Sequence, residues 1–191
     1  GGMSARFPTI APEDYTDAQR AVAAEIAGGA RGSVRGPFLP LMHNPALAGR
    51  IQALGEHLRF GTGIAQDLVE IAVLVTARRW TCQYEWVAHS RIARKEGTPE
   101  AIIEAIAANR RPDPMTPDQA LVFDVAMAAH DTGELPDALF EAAVARFGRA
   151  GVLDLLALCG YYAMLAMVLN TVRPALPDNV APPLAPLEER R

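Results

Sequence analysis

Apolar residues recur along most of the chain with the period of an α-helix. The clearest amphipathic face, between Asn44 and Gly61, consists of Leu47, Ile51, Leu54 and Leu58. Residues 66–79 are apolar almost throughout and too many for one strand, which predicts a buried helix. Residues 136–147 are amphipathic and end at Gly148. No segment shows sustained strand alternation with hairpin turns, so we predict an all-α, single-domain bundle of about six to eight helices.

Residues that start and stop helices lie at the ends of these apolar patterns. The stretch T-D-A-Q from Thr16 predicts a capping box, and that helix should end at Gly28-Gly29. A cap followed by proline occurs at Asn44-Pro45, Thr98-Pro99 and Thr116-Pro117. Gly97 and Gly133 stand where helix C-terminal caps are expected.

The segment from Val152 to Leu169 is apolar apart from Asp154 and raises the question of a membrane span. It also contains Gly160, lacks a basic N-terminal flank and follows six amphipathic helices. We therefore expect no membrane association. A helix that is apolar all round is buried on every side, and a chain of this size needs a second subunit to do that. A homo-oligomer with this helix near the interface is the expectation.

Two further segments affect the domain organisation. Residues 28–35, GGARGSVR, are glycine-rich and basic but lack the spacing of a phosphate loop, so we expect a mobile surface loop. From Pro174 the chain is proline-rich, which predicts an extended tail that could drape over a neighbouring subunit. The predicted organisation is an N-terminal segment over residues 1–15, a helical domain over 16–173 and a tail over 174–191. Gly1-Gly2 resembles a remnant of an expression tag.

Composition narrows the functional class. The 191 residues are 50% hydrophobic and 21% charged, which is ordinary for a globular protein with a real core. The net charge of −4 argues against nucleic acid as the main partner. Two cysteines are too few for a disulfide framework, and no apolar export signal is apparent. We expect a cytoplasmic, thiol-reduced setting.

The stretch WTCQYEWVAHS, residues 80–90, contains the strongest candidate chemistry. Thr81 as N-cap and Gly97 as terminator predict one helix over residues 82–96. At about 100° per residue, Cys82, Glu85 and His89 share one face of that helix. Glu85 and His89 are four apart, so their side chains can touch and form an acid–base pair. Cys82 in the first turn would be favoured as thiolate by the helix dipole.

Spacing alone leaves a second interpretation open. A Glu–His pair four apart is more often a surface helix contact than a site, and a lone buried cysteine usually behaves as a small apolar residue. Cys82, Glu85 and His89 could also bind zinc or iron, but metal sites usually assemble more nitrogen or sulfur ligands. We therefore expect no metal and no cofactor.

Four residues are spaced as in a known site motif. Eleven residues separate Glu70 from Cys82, two separate Cys82 from Glu85, and three separate Glu85 from His89. This spacing is similar to that of the Glu–Cys–Cys–His motif of the carboxymuconolactone decarboxylase and alkylhydroperoxidase D family. The runs LVEIAVLVTARRW and SRIARKEG also resemble that family's pair of site helices, and GPFLPLMHNP resembles an early segment of its domain. The similarity covers residues 36–173. It implies an all-helical fold and homo-oligomers, commonly dimers, trimers or hexamers.

The chain departs from the hydroperoxidase pattern at one position. Glu85 replaces the second, peroxide-reactive cysteine, so a two-cysteine disulfide cycle cannot run between positions 82 and 85. Cys159 lies in an apolar segment that is predicted to be core. The decarboxylase branch resembles this chain at the Glu85–His89 step but lacks the cysteine and the upstream glutamate. The sequence is a hybrid of the two patterns.

Roles for these residues follow from their chemistry and from the resemblance. His89 is the predicted general acid–base, Glu85 orients it or shares its proton, and Glu70 could complete a proton relay. Cys82 could be a nucleophile, a polariser of substrate or a vestige. The candidate substrate contacts are Trp86, as a pocket wall, and His43. The arginines Arg78, Arg79 and Arg91 could receive a carboxylate, with solvated surface as the default.

Three functions remain open at this point. The leading hypothesis is an acid–base enzyme that resembles carboxymuconolactone decarboxylase and acts on a small carboxylated or lactone-type substrate. The second is a thiol antioxidant of the alkylhydroperoxidase or peroxiredoxin type that uses Cys82 as a single redox cysteine. The third is a non-catalytic oligomeric family member. A pocket lined by the four motif residues would argue against the third.

Overall fold

The computed structural model describes residues 6–188. Within that range the protein is all-helical, which confirms the predicted fold class. The elements are α1 Asp17–Gly28, α2 Phe38–Leu41, α3 Pro45–Glu56, α4 Gln66–Arg79, α5 Gln83–Lys95, α6 Glu100–Ala107, α7 Pro117–Asp131 and α8 Asp137–Val172. A π-helical turn, His57–Gly61, follows α3. The predicted tag remnant Gly1-Gly2 lies outside the described residues.

Local sequence signals set most of the helix ends. Thr16 and Gln19 form the capping box of α1, and Thr116 forms the equivalent box with Gln119 on α7. Asn44 accepts a hydrogen bond from the Leu47 amide at the start of α3. The first helical residue of α3 and of α7 is a proline, where the missing N–H has no cost.

The glycine stop signals also lie where they are expected. Gly97 and Gly133 have φ values of 90° and 74°, in the left-handed region that glycine adopts without strain. Gly148, with φ 72° and ψ 170°, breaks α8 at the predicted boundary, although the helix resumes directly after it. Residues 149–172 therefore form one helical stretch that contains the predicted apolar segment from Val152 to Leu169.

Helix α4 is the centre of the bundle. Every residue from Leu68 to Arg78 is buried, and α4 packs against α5, α6, α7 and α8. A helix that is surrounded on all sides needs apolar residues all round, which explains the run of Val, Ile, Leu and Ala in its sequence. The apolar half of α8 packs against α4 and α7 and supplies Leu155, Leu158 and Leu165 to the same core.

The predicted face of α3 is only half correct. Ile51 and Leu58 are buried, whereas Leu47 and Leu54 are exposed. The face that turns inward instead consists of Ala48, Ile51, Gln52 and Gly55. Gly55 explains the shift, because a Cβ at that position would collide with the Tyr161 hydroxyl and the Arg31 guanidinium. The helix approaches the core through its small residues, and the two leucines are left at the surface.

Helix α8 is the one described helix that is long and apolar enough to cross a membrane. Its most apolar 18-residue window has a mean hydropathy of 2.0, and half of that window is buried inside the protein. A core helix of a folded domain meets the same criteria of length and composition. On the opposite face, Leu153 and Met167 remain 68% and 52% exposed.

The C-terminal tail packs on its own chain. Leu184 is buried, and its backbone N–H and C=O both pair with the side-chain amide of Gln83 at 2.9 and 2.8 Å. Arg78 donates to the Ala185 carbonyl at 2.6 Å, and Arg91 forms a salt bridge with Asp178 at 2.8 Å. The tail contains a short 3-10 turn at Pro177–Asn179, and up to residue 188 it lies across α4 and α5 of the same chain.

Candidate active site

A buried histidine lies between two carboxylates at the interface of α4 and α5. The Nδ1 atom of His89 is 2.6 Å from Oε2 of Glu70, and its Nε2 atom is 3.1 Å from Oε2 of Glu85. Exposure of the three residues is only 4%, 2% and 4% respectively. Charged groups are almost never this buried unless they are paired, so the three side chains form one electrostatic unit.

Helix geometry explains how the three groups meet. Glu85 and His89 are one turn apart on α5, where side chains at positions i and i+4 touch. Glu70 comes from α4, which is joined to α5 by a turn of only three residues, so the two helices pack side by side. Glu85 lies in the first turn of α5, where the helix dipole favours a negative charge.

The two carboxylates determine the protonation of His89. Burial by itself lowers the pKa of an imidazole. Here the charge and hydrogen bond of Glu70, together with those of Glu85, outweigh burial and raise the pKa of His89 to about 9. At neutral pH the ring is therefore an imidazolium that donates from Nδ1 to Glu70 and forms an ion pair with Glu85 through Nε2.

Two tyrosines of α8 form the next layer of the site. The ring of Tyr162 meets the His89 ring edge-on, with centroids 5.0 Å apart, and Tyr161 meets Tyr162 edge-on at 5.1 Å. Arg31 donates from Nη2 to the Tyr161 hydroxyl at 3.0 Å and stacks on the Phe38 ring at 4.6 Å. The two tyrosines therefore connect the triad to the chain segment that precedes α3.

The position of Arg31 shows that the expectation for residues 28–35 was wrong. We predicted a mobile surface loop, but Arg31 is buried and held by Tyr161 and Phe38. The sequence gives little sign of this anchor, because an arginine between glycines is usually solvated and its partner lies 130 positions away. An aromatic pair at Tyr161-Tyr162 within an apolar helix is the one signal that could have suggested a polar partner nearby.

The structure places Cys82 near the triad but not in a reactive state. Thr81 has a left-handed φ of 46° and does not cap α5, which begins at Gln83 with Cys82 as its N-cap. The thiol is fully buried with Ala166 and Leu169. Burial, and then the charge of Glu85, raise the pKa of Cys82 to about 12.

The expected thiolate at position 82 is therefore wrong. The backbone amides of Glu85 and Tyr84 do lower the pKa of the Cys82 thiol, as the dipole argument predicted, but desolvation is the larger effect. Cys159, the other free cysteine, is buried in the core as predicted, and burial raises its pKa to about 11. Both thiols are protonated at neutral pH.

The two predicted substrate contacts make packing contacts in the structure. Trp86 is a buried member of the main core cluster rather than the wall of an open pocket. His43 is exposed, with its Nε2 2.7 Å from the Pro8 carbonyl and its ring edge-on to Phe7. His43 therefore holds the N-terminal segment in place.

The remaining histidines have structural partners. His57 is 2.9 Å from Asp154 on α8. The Nε2 atom of His130 is 2.7 Å from the Thr76 hydroxyl. Burial and the nearby Arg79 lower the pKa of His130. In the described part of the chain, no group of three or more His, Cys, Asp or Glu is arranged to hold a metal ion.

The fold matches one solved structure closely. That structure is described as the alkylhydroperoxidase AhpD core, an uncharacterized peroxidase-related protein from Ralstonia eutropha JMP134. The TM-score is 0.76 at 25% sequence identity, over 93% of this chain and 94% of that chain. Neither the protein-family models nor the curated proteins give a match.

The chain therefore has the fold of the carboxymuconolactone decarboxylase and alkylhydroperoxidase D-like proteins, as its spacing motif predicts. Its structural neighbour is described as peroxidase-related. The comparison establishes the fold class of this chain. The particular activity of this chain depends on the chemistry of Glu70, Glu85 and His89.

Proposed function

We propose that the protein is an acid–base enzyme in which Glu70, His89 and Glu85 form a proton relay. The observation that carries the proposal is the position of His89 between two buried carboxylates, with Nδ1 2.6 Å from Glu70 and Nε2 3.1 Å from Glu85. Such an arrangement stores one proton between two carboxylates on rigid helices, and general acid–base catalysis requires a proton held in that way.

The relay works in either direction. With His89 protonated, Glu85 is a carboxylate that can accept a proton from a substrate. When Nε2 of His89 passes its proton to Oε2 of Glu85, Glu85 becomes a carboxylic acid that can donate. The neutral imidazole then keeps its Nδ1 proton on Glu70, which fixes the tautomer. Glu85 is thus the group that exchanges protons with substrate, and Glu70 is a positioning residue.

The proposed substrate is a small carboxylated or lactone-type molecule. This assignment comes from the resemblance of Glu85 and His89 to the decarboxylase branch of the family. We also propose that the protein acts as a homo-oligomer in the cytoplasm. The exposed apolar residues of α8 and the two unpaired cysteines support these two points.

A peroxidase activity is the second candidate, because the structural neighbour is described as peroxidase-related. Cys82 would have to supply the reactive thiolate. Its complete burial and its raised pKa weigh against that role, since the thiolate is the nucleophile in peroxide reduction. A non-catalytic role is the third candidate. Two cavities among residues 6–188, one at the end of α4 and one beside Tyr84 and Leu169, are lined by residues other than the triad.

Turnover measurements with matched variants separate the three candidates. Candidate lactones and β-keto or unsaturated carboxylates are screened by proton release, and peroxide consumption is followed in parallel with an external thiol. We expect Glu85→Gln to reduce turnover of a carboxylated substrate about 10²-fold or more, the usual scale of lost acid–base assistance. Cys82→Ser should leave that turnover within a few-fold.

Two results would contradict the proposal. Peroxide consumption that Cys82→Ser abolishes and Glu85→Gln preserves would establish the thiol antioxidant instead. Turnover that is unaffected by either Glu85→Gln or His89→Gln would place the chemistry elsewhere in the protein.

A further inference from the structure

A cavity lies away from the triad, at the C-terminal end of α4. Its volume is about 1100 Å³, and it is bounded by the ends of α4 and α6, by α7 and by the tail at Ala185–Glu188. Arg78, which lines it, is two turns beyond Glu70 on α4, about 12 Å along the helix axis at 1.5 Å per residue. We call this space the tail cavity.

Arg78 is an unusual group to find in such a cavity. It is 3% exposed, and among residues 6–188 no carboxylate lies within 4 Å of its guanidinium. Its Nη atoms donate to the carbonyls of Ala107 and Ala185 and to the Thr81 hydroxyl. Its buried Nε–H has no hydrogen-bond partner in the described structure. A buried cation without a counterion is costly, and a bound anion would relieve that cost.

The other charges of the cavity leave room for an anion. Of the three carboxylates in the lining, Asp124 is held by Arg111 at 2.9 Å and Asp131 is 3.6 Å from Arg79. The third, Glu188, has no cation within 4 Å among the described residues. Arg110, at the exposed edge, has no carboxylate within 4 Å among the described residues. Arg78, deep in the cavity, and Arg110, at its rim, therefore have no carboxylate partner among the described residues.

The apolar part of the cavity indicates what kind of anion fits. Val75, Ile106, Phe123 and Met127 line the same space. Ligand sites commonly combine an apolar wall with a few charged groups that fix orientation. An inorganic anion would satisfy Arg78 but leave this wall in contact with water. An organic carboxylate with an apolar body would satisfy both.

We infer that the tail cavity is a binding site for an amphiphilic organic carboxylate, with the carboxylate at Arg78 and Arg110 and the apolar body against Phe123 and Met127. Arg78 lines the cavity, and a carboxylate that reached its unpartnered Nε–H would form a charge-assisted hydrogen bond there. Because Arg78 also holds the Ala185 carbonyl, ligand binding in the cavity and docking of the tail share one side chain. The inference does not depend on the proposed function of the triad.

The test is an NMR titration of the full chain with hexanoate, with hexan-1-ol as the neutral analogue of the same length. Hexanoate should shift the amide resonances of residues 107–111, Ala185 and Leu187 saturably, with a Kd on the order of 1 mM for a ligand of this size. Hexan-1-ol should bind at least about 10-fold more weakly, because it lacks the charge that pairs with Arg78.

Matched variants locate the binding charge. Arg78→Gln and Arg110→Gln should each weaken hexanoate binding about 5-fold or more, since each removes one charge-assisted contact. Arg110 is exposed, so that variant tests the inference even if Arg78→Gln does not fold. Arg50→Gln removes an exposed charge on α3, outside the cavity, and should bind like the wild type.

Several outcomes would overturn the inference. These are the absence of saturable shifts, equal binding of hexan-1-ol, wild-type binding by Arg110→Gln, and equal weakening by Arg50→Gln. Shifts that map to His89 and Glu85 instead of the tail cavity would likewise reject the second site, while leaving the triad proposal intact.

Discussion

The Nδ1 atom of His89 lies 2.6 Å from Oε2 of Glu70, although the two residues are 19 positions apart and on different helices. This contact is shorter than the 3.1 Å contact between His89 and Glu85, its neighbour on the same helix. Glu70 is therefore the stronger partner of the imidazolium, and its charge is the main reason that the pKa of His89 is raised.

The first prediction concerns the pKa of His89. Glu70→Gln and Glu85→Gln each remove one negative charge while keeping the side-chain shape, so both should lower this pKa from about 9. The decrease should be larger for Glu70→Gln, which removes the shorter contact. NMR titration of the His89 ring in the three proteins measures the shifts, with the exposed His43 as the internal control. Coincident His89 curves would show that the triad is not coupled.

The second prediction concerns stability as a function of pH. The pKa of His89 is raised in the folded state, so its stabilisation is complete below about 6.5, the unfolded pKa. That stabilisation is lost as pH rises through about 9, because the folded protein then gives up a proton that the unfolded chain has already lost. Urea unfolding between pH 6 and 8.5 should show a free energy of unfolding that falls with pH.

The control for this pH dependence is Glu70→Gln. With one carboxylate removed, the fall in the free energy of unfolding over the same pH range should be clearly smaller than in the wild type. Parallel profiles for the two proteins would mean that some other group is responsible for the fall.

The third prediction concerns the two cysteines. Both are buried and protonated, so mild peroxide should leave Cys82 and Cys159 largely as free thiols, with at most slow sulfenic acid or a mixed adduct at Cys82. Mass spectrometry after trapping measures this, with urea-unfolded protein as the fully reactive control. A Cys82–Cys159 disulfide in good yield would revive the peroxidase hypothesis.

The fourth prediction concerns subunit association. Leu153 and Met167 lie on the exposed face of α8, 68% and 52% exposed, and apolar residues of this size at a helix surface favour burial in an interface. Sedimentation at micromolar concentration should show a homo-oligomer, and Met167→Lys should shift it toward smaller species. A single wild-type species near 20.5 kDa would refute the prediction.

The fifth prediction concerns the packing of α3 against the tyrosine layer. Gly55→Ala places a methyl group against the Tyr161 hydroxyl and Arg31, and should destabilise the fold by about 1–3 kcal/mol. Gly49→Ala on the same helix meets only ordinary contacts, such as Val22 at 3.5 Å, and should stabilise by about 0.5–1 kcal/mol through helix propensity. Thermal or urea unfolding of both variants gives the comparison, and equal effects would reject the packing argument.

The sequence by itself determined the helices of this protein and the approximate composition of its site. Capping boxes, prolines at first helical positions and left-handed glycines act within a few residues, so their consequences can be predicted locally. The same is true of Glu85 and His89, whose contact follows from one helical turn. The resemblance added Glu70, which no local pattern connects to His89.

Only the tertiary structure decided how these residues are buried. Cys82 loses its expected thiolate because Ala166 and Leu169, more than 80 positions away, remove it from water. Arg31 is held by a hydrogen bond to Tyr161. Helix α3 packs on the core through its small residues around Gly55, so Leu47 and Leu54 stay exposed. Desolvation and close packing depend on contacts between distant segments, and such contacts leave no periodic signal in the sequence.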